Sequence, residues 1–116
     1  MKLYADYLKE TEDVDCIYTD DFFMFYKLEP KSKSAFILDV YSKPEIRGKG
    51  IVVGEFKKLV VNLKELGYNY IFSNTCTIKC GYQRSDAIHL QFGFKYIGLD
   101  PKDNTMKQYF LQINGE

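Results

Sequence analysis

An apolar run at residues 35–41 feeds a turn built of Arg47, Gly48, Lys49 and Gly50, and an amphipathic stretch follows at once. In that stretch Val52, Phe56, Leu59, Val60, Leu63 and Leu66 share one stripe, while Glu55, Lys57, Lys58, Lys64 and Glu65 lie mostly off it. This is the spacing of a helix packed on a core. Gly67 is placed to end it as a C-cap, and residues 68–73 read as a second buried strand. Strand, glycine turn, helix and strand in this order call for a sheet with a helix laid across it. The chain is therefore of the α/β or α+β class.

The flanks fill in the rest. Leu3, Tyr4, Tyr7 and Leu8 recur at helical spacing through about Glu10. Residues 16–27, broken at Asp20 and Asp21, give two strands around a tight turn or one bulged strand. The 35–41 run is apolar on both faces except at Asp39, as in a central strand covered on each side. Residues 74–84 read as a polar loop and 85–92 as a short helix with Ser85 as N-cap. Gly93 closes that helix, and strands at 94–97 and 109–113 flank a loop at 100–105.

At 116 residues the chain is sized for a single domain, 1–116, with a core large enough to fold without disulfides. The run Met1, Lys2, Leu3, Tyr4, Ala5, Asp6 has no apolar h-region and no segment is long enough to span a bilayer, so a cytoplasmic protein without a membrane partner is expected. Three cysteines suit reduced thiols. Cys16, Cys76 and Cys80 with His89 make a poor zinc set, because nothing orders them and the Cys76 to Cys80 spacing is wrong; no metal is expected. Zero net charge argues against nucleic-acid coating. The charge is uneven, however. Residues 1–30 hold eight acids and three bases, and the remainder thirteen bases and eight acids. The acidic start suits a cationic amine or is simply solvated.

A glycine turn opening a helix is an anion device. The first helical N–H groups lack internal partners, the dipole adds partial positive charge, and glycine lets backbone approach a phosphate. Residues 47–52 thus read either as a phosphate site, with Arg47 and Lys49 adding charge, or as a plain strand-to-helix turn. Two nucleotide patterns fail. A P-loop needs Ser or Thr where Gly50 follows Lys49, and a dinucleotide fingerprint needs glycine at Val53 and an acid ending the next strand.

The segment Pro44, Glu45, Ile46, Arg47, Gly48, Lys49, Gly50, Ile51 resembles the acyl-CoA-binding motif of the GNAT N-acetyltransferases. Ile88, His89, Leu90, Gln91, Phe92, Gly93, Phe94 is similar to that family's Leu-Tyr-x-x-x-Gly-Phe segment. The resemblance covers roughly residues 35–98. It implies a mixed, mostly antiparallel sheet with two splayed central strands flanked by helices. It also implies acetyl transfer from acetyl-CoA (coenzyme A) to a primary amine of a small molecule or protein, by direct attack. The cofactor would be held by Arg47, Gly48, Lys49, Gly50, Ile51 and Val52, with its pantetheine arm along the 35–41 strand.

Departures from the pattern shape the candidate catalytic pair. Val52 stands where the motif ends in Gly or Ala and adds crowding. His89 stands at the family's Tyr, which often protonates the leaving thiolate; an imidazolium is able to do so, and a satisfied core ring is the other reading. Asp39 is the candidate base, its pKa raised by an apolar strand, unless a bulge turns it to solvent. Only 34 residues precede the 35–41 strand, which implies an abbreviated N-terminal half. Small phage-encoded members of the fold, some virion-associated, resemble this layout and imply the alternative: a non-catalytic binding or structural module, cytoplasmic in the host. A homodimer or a protein partner is the further expectation.

Overall fold

Helix α1 (Lys2–Glu12) ends where Asp13 takes up a left-handed conformation, φ 56°, which Asp tolerates better than most residues. The chain then turns into an antiparallel hairpin, β1 (Val14–Tyr18) and β2 (Phe22–Glu29), whose tight turn falls at Asp20 and Asp21. The computed structural model describes residues 1–78 and 82–114. Strand β3 (Ser34–Ser42) follows, then a single 3-10 turn at Pro44–Ile46, helix α2 (Ile51–Glu65), β4 (Tyr70–Cys76), α3 (Tyr82–Gln91) and the hairpin β5 (Lys95–Asp100) and β6 (Asp103–Gln112). The expected mixed α/β class is what the chain adopts. One helix and one hairpin precede β3.

The six strands form one sheet in the order β1-β2-β3-β4-β6-β5. Only β3 and β4 are parallel, joined by the crossover through α2 as parallel neighbours require. Their ladder is short, running from Ser34↔Tyr70 to Ile37↔Ser73. Past that point β3 continues beside β2 to Ser42, and β4 continues beside β6 to Cys76. The two central strands therefore diverge, leaving a wedge between residues 38–42 and 74–76 as the resemblance implies.

One sheet face carries the main core. Phe22, Met24, Ala35, Ile71 and Tyr109 from the strands pack with Phe56, Leu59 and Leu63 of α2 and with Phe94. These α2 positions come from the stripe read in the sequence. Gly67, φ 85°, caps the helix: its N–H donates to Lys64 O and that of Tyr68 to Leu63 O, the pattern of a glycine C-cap. On the other face α1 buries Leu8 against Val14 and Phe25.

Several sequence boundaries move. β4 extends three residues past Ser73, α3 begins at Tyr82 so that Ser85 lies within it, and β6 begins at Asp103. The loop expected at 100–105 is instead a tight hairpin turn at Pro101 and Lys102. Strand pairing on both sides of β6 supplies the backbone order that its polar first half does not signal by itself.

Candidate functional site

The wedge has a helix N-terminus at one end. Gly50 is the N-cap of α2 at φ 78° and Gly48 precedes it at φ 77°. Both lie in the left-handed region that side chains other than Gly, Asn and Asp rarely adopt. The first helical bond runs from Gly54 N–H to Gly50 O, so the N–H groups of Ile51, Val52 and Val53 have no partner within the helix. A Cβ built on Gly48 or Gly50 would meet nothing within 4 Å. That open space beside unpartnered donors fits a phosphate-sized anion.

The flanking side chains divide. Lys49 is exposed on the turn. Arg47 folds back instead: its Nε donates to Ser42 O at 3.0 Å and its guanidinium lies 5.7 Å from the Tyr41 ring centroid. It thereby ties the turn to the end of β3. Val52 packs against the core and Ile51 is exposed, so the crowding expected from Val52 is directed into the protein interior. Glu45 is exposed within the 3-10 turn.

Asp39 follows the second of its two readings. The register passes from Phe25↔Asp39 to Tyr26↔Ile37, leaving Leu38 as an extra residue on β3. Such a bulge breaks the alternation of sides. Asp39 shares the side of Phe25 and is exposed, so it is not the covered carboxylate of the first reading.

His89 lies at the fork. Its Nδ1 is 2.7 Å from Ser85 O and its Nε2 is 2.6 Å from Ser73 Oγ, and Ser73 is the last β4 residue paired to β3. A carbonyl only accepts, so Nδ1 carries the proton. In the neutral ring Nε2 is then bare and accepts from the Ser73 hydroxyl. The ring stacks on Tyr109 at 4.6 Å and meets Phe94 edge-on at 5.2 Å. Burial lowers its pKa from the usual 6.5, opposed by the Ser85 hydrogen bond and by Asp86. His89 is thus a neutral, doubly bonded ring rather than a ready imidazolium.

Behind it, Asp86 accepts from Lys107 Nζ at 2.9 Å and Tyr109 Oη at 2.7 Å. Burial pulls the Asp86 pKa up, but these two donors outweigh it and hold the carboxyl below its usual value. Burial and Asp86 push the Tyr109 phenol up. The reading of the sequence missed Ser73, Asp86, Lys107 and Tyr109. A partial signal was there: Ser85 and His89 are one turn apart, and Ser73 and Thr75 are small polar residues on the inward side of a central strand.

Among the described residues no three His, Cys, Asp or Glu side chains converge on a metal site; Cys80 lies outside those residues. Among the described residues, too, no helix is long and apolar enough to cross a membrane.

One expectation follows for pH. The native His89 binds its proton less readily than the unfolded chain does, so stability should fall as pH drops from about 7 through 6.5 and level off below the native pKa. The chain has one histidine, so urea midpoints measured across this window should lose their slope in His89→Gln. A slope that survives the substitution would contradict the assignment.

Neither a family model nor a curated protein matches the sequence. Solved structures do. The microcin C7 self-immunity acetyltransferase MccE, solved with acetyl-CoA and AMP, superposes at TM-score 0.76 and 17% identity over 95% of this chain and 67% of its own. The PaiA N-acetyltransferase of Thermoplasma acidophilum, solved with coenzyme A, gives 0.72 and 17% over 96% and 69%. The ribosomal-protein-S18-alanine N-acetyltransferase of Escherichia coli gives 0.69 and 12% over 99% and 77%. The chain spans 65% of the length of a GNAT-family structure from Desulfovibrio desulfuricans and 60% of one from Staphylococcus aureus. With a parallel central pair that splays past Ile37 and Ser73, this chain has the fold of the GNAT N-acetyltransferases.

Proposed function

We propose that the chain is an acyltransferase that takes an acetyl group from acetyl-CoA and passes it to a primary amine. The observation that carries this reading is the wedge between β3 and β4, open past Ile37 and Ser73. Strand edges at 38–42 and 74–76 offer backbone donors and acceptors for an extended amide chain, and buried polar groups of that kind need partners. The α2 N-terminus, with Gly48 and Gly50 giving clearance, is suited to a diphosphate, Lys49 adding charge and Arg47 holding the turn in place.

Acetyl-CoA would supply the activated acyl group. The residues named earlier then have separate tasks. Asp39, a solvent-facing carboxylate on β3 just past the last residue paired to β4, draws the amine's proton directly or through water. Ser73 presents its hydroxyl at the fork, held in one orientation by His89. The proton that reaches the leaving sulfur comes from water, because the Ser73 hydroxyl already donates to His89 and the neutral ring has none to spare.

A second reading is a coenzyme A-binding module without turnover. It is favoured by one observation: both nitrogens of His89 are already engaged. Thermal melting with millimolar acetyl-CoA, followed by thiol release across a panel of amines and peptides, separates the two. A shift with turnover supports transfer, and a shift without it supports the module. No shift defeats both.

A further inference from the structure

The sheet face opposite α2 is only half covered. Directly paired residues point to the same side, and one register row crosses all six strands: Val14, Lys27, Phe36, Phe72, Phe110 and Lys95. α1 lies over the Val14 end. Beyond it, Phe36 stacks on Phe72 at 5.3 Å and Phe72 leans on Phe110 at 6.5 Å, with an exposed lysine at each end of the trio. Phe36 is 39% exposed and the neighbouring Leu38 53%.

α1 carries a matching surplus. Ala5 and Leu8 are buried beneath it, yet Leu3 and Tyr7 on its outer side are 83% and 57% exposed. At 100° per residue, Asp6 and Glu10 run together along one side of that outer pair. A helix about 10 Å across covers roughly two strands spaced about 4.8 Å apart. With α1 above β1 and β2, the phenylalanine row on β3, β4 and β6 has room for one more helix.

We propose that a second copy of this chain supplies it. Two copies meet face to face about a two-fold axis, each laying the Leu3 and Tyr7 side of α1 over the other's phenylalanine row. The two α1 helices then lie side by side between two sheets, each gripping its own sheet through Ala5 and Leu8. Asp6 and Glu10 approach the lysine at one end of the row in the opposing copy, pairing the acid-rich start of one chain with the basic remainder of the other. Among the described residues Asp6 pairs with Lys2 at the exposed surface, a contact worth little and easily exchanged. The arrangement is self-complementary and closes at two copies. A single-stranded nucleic acid is a poor fit, because base stacking needs open ring faces and these rings spend theirs on one another.

Sedimentation velocity on the whole chain at tens of micromolar should give twice the chain mass. Leu3→Asp with Tyr7→Asp should give a monomer with an unchanged far-ultraviolet spectrum. Lys27→Glu with Lys95→Glu, and separately Asp6→Lys with Glu10→Lys, should each weaken self-association by about tenfold or more. Mixing those two variants should restore a heterodimer, since every contact is then between opposite charges. A monomeric wild type, a dimer indifferent to the Leu3 and Tyr7 changes, or failure of the mixture to associate would overturn the proposal.

Discussion

Replacing Gly50 with valine is expected to abolish the thermal shift that acetyl-CoA gives the unsubstituted chain. A ligand bound only to the native state at a hundredfold excess over its Kd stabilises by about 2.7 kcal/mol. For a chain of this length that is roughly 10 °C in Tm. Valine at φ 78° costs about 1–2 kcal/mol from backbone strain, and its methyl groups would fill the clearance that Gly50 leaves beside the α2 N–H groups. Gly67→Val is the control. It sits at φ 85° with equally open surroundings, beyond the opposite end of α2, so it carries the strain without touching the anion position. The unliganded Tm should fall in both variants, whereas the acetyl-CoA shift should survive only in Gly67→Val. Equal shifts in the two would remove the α2 N-terminus from the binding account.

The largest loss of stability is expected from Phe56→Ala. This ring is 5% exposed and stacks on Phe92 at 4.7 Å, with Phe94 at 5.7 Å, so it joins α2 to the chain leaving α3. Emptying such a site costs about 3–5 kcal/mol, a large part of the 5–15 kcal/mol that holds a typical domain together. The urea midpoint should fall with the slope unchanged. Because α2 bears the proposed anion site, binding of acetyl-CoA by the folded fraction should weaken as well. A loss below about 1 kcal/mol would mean that α2 is held mainly by Leu59 and Leu63.

Much of this frame was legible in the residues. The α2 stripe, the glycine turn that opens it and its Gly67 cap each have a local physical cause, and Asp20 and Asp21 mark the break between β1 and β2, which the residues alone leave as a hairpin or a bulge. The features that escaped depend on register. Asp39 has two readings in the sequence, a covered base or a residue turned out by a bulge, and nothing in composition marks Leu38 as the extra residue that decides for the second. Ser73 and His89 are sixteen positions apart, and only the docking of α3 on β4 brings their side chains together. The polar opening of β6 resembles a loop until β4 and β5 are set on either side of it. Residues 47–52 were marked as a unit, but the division of labour within them depended on where each side chain turns. Arg47 staples the turn to β3, and Val52 enters the core.

The brevity of the β3–β4 ladder has a mechanical consequence. Two three-stranded ribbons, each stitched along most of its length, share a seam of only four rungs. Torsion between the ribbons concentrates there, so the amides of that seam should lose deuterium protection before those inside either ribbon. Anything threaded into the gap above would act as a splint, turning two plates into one.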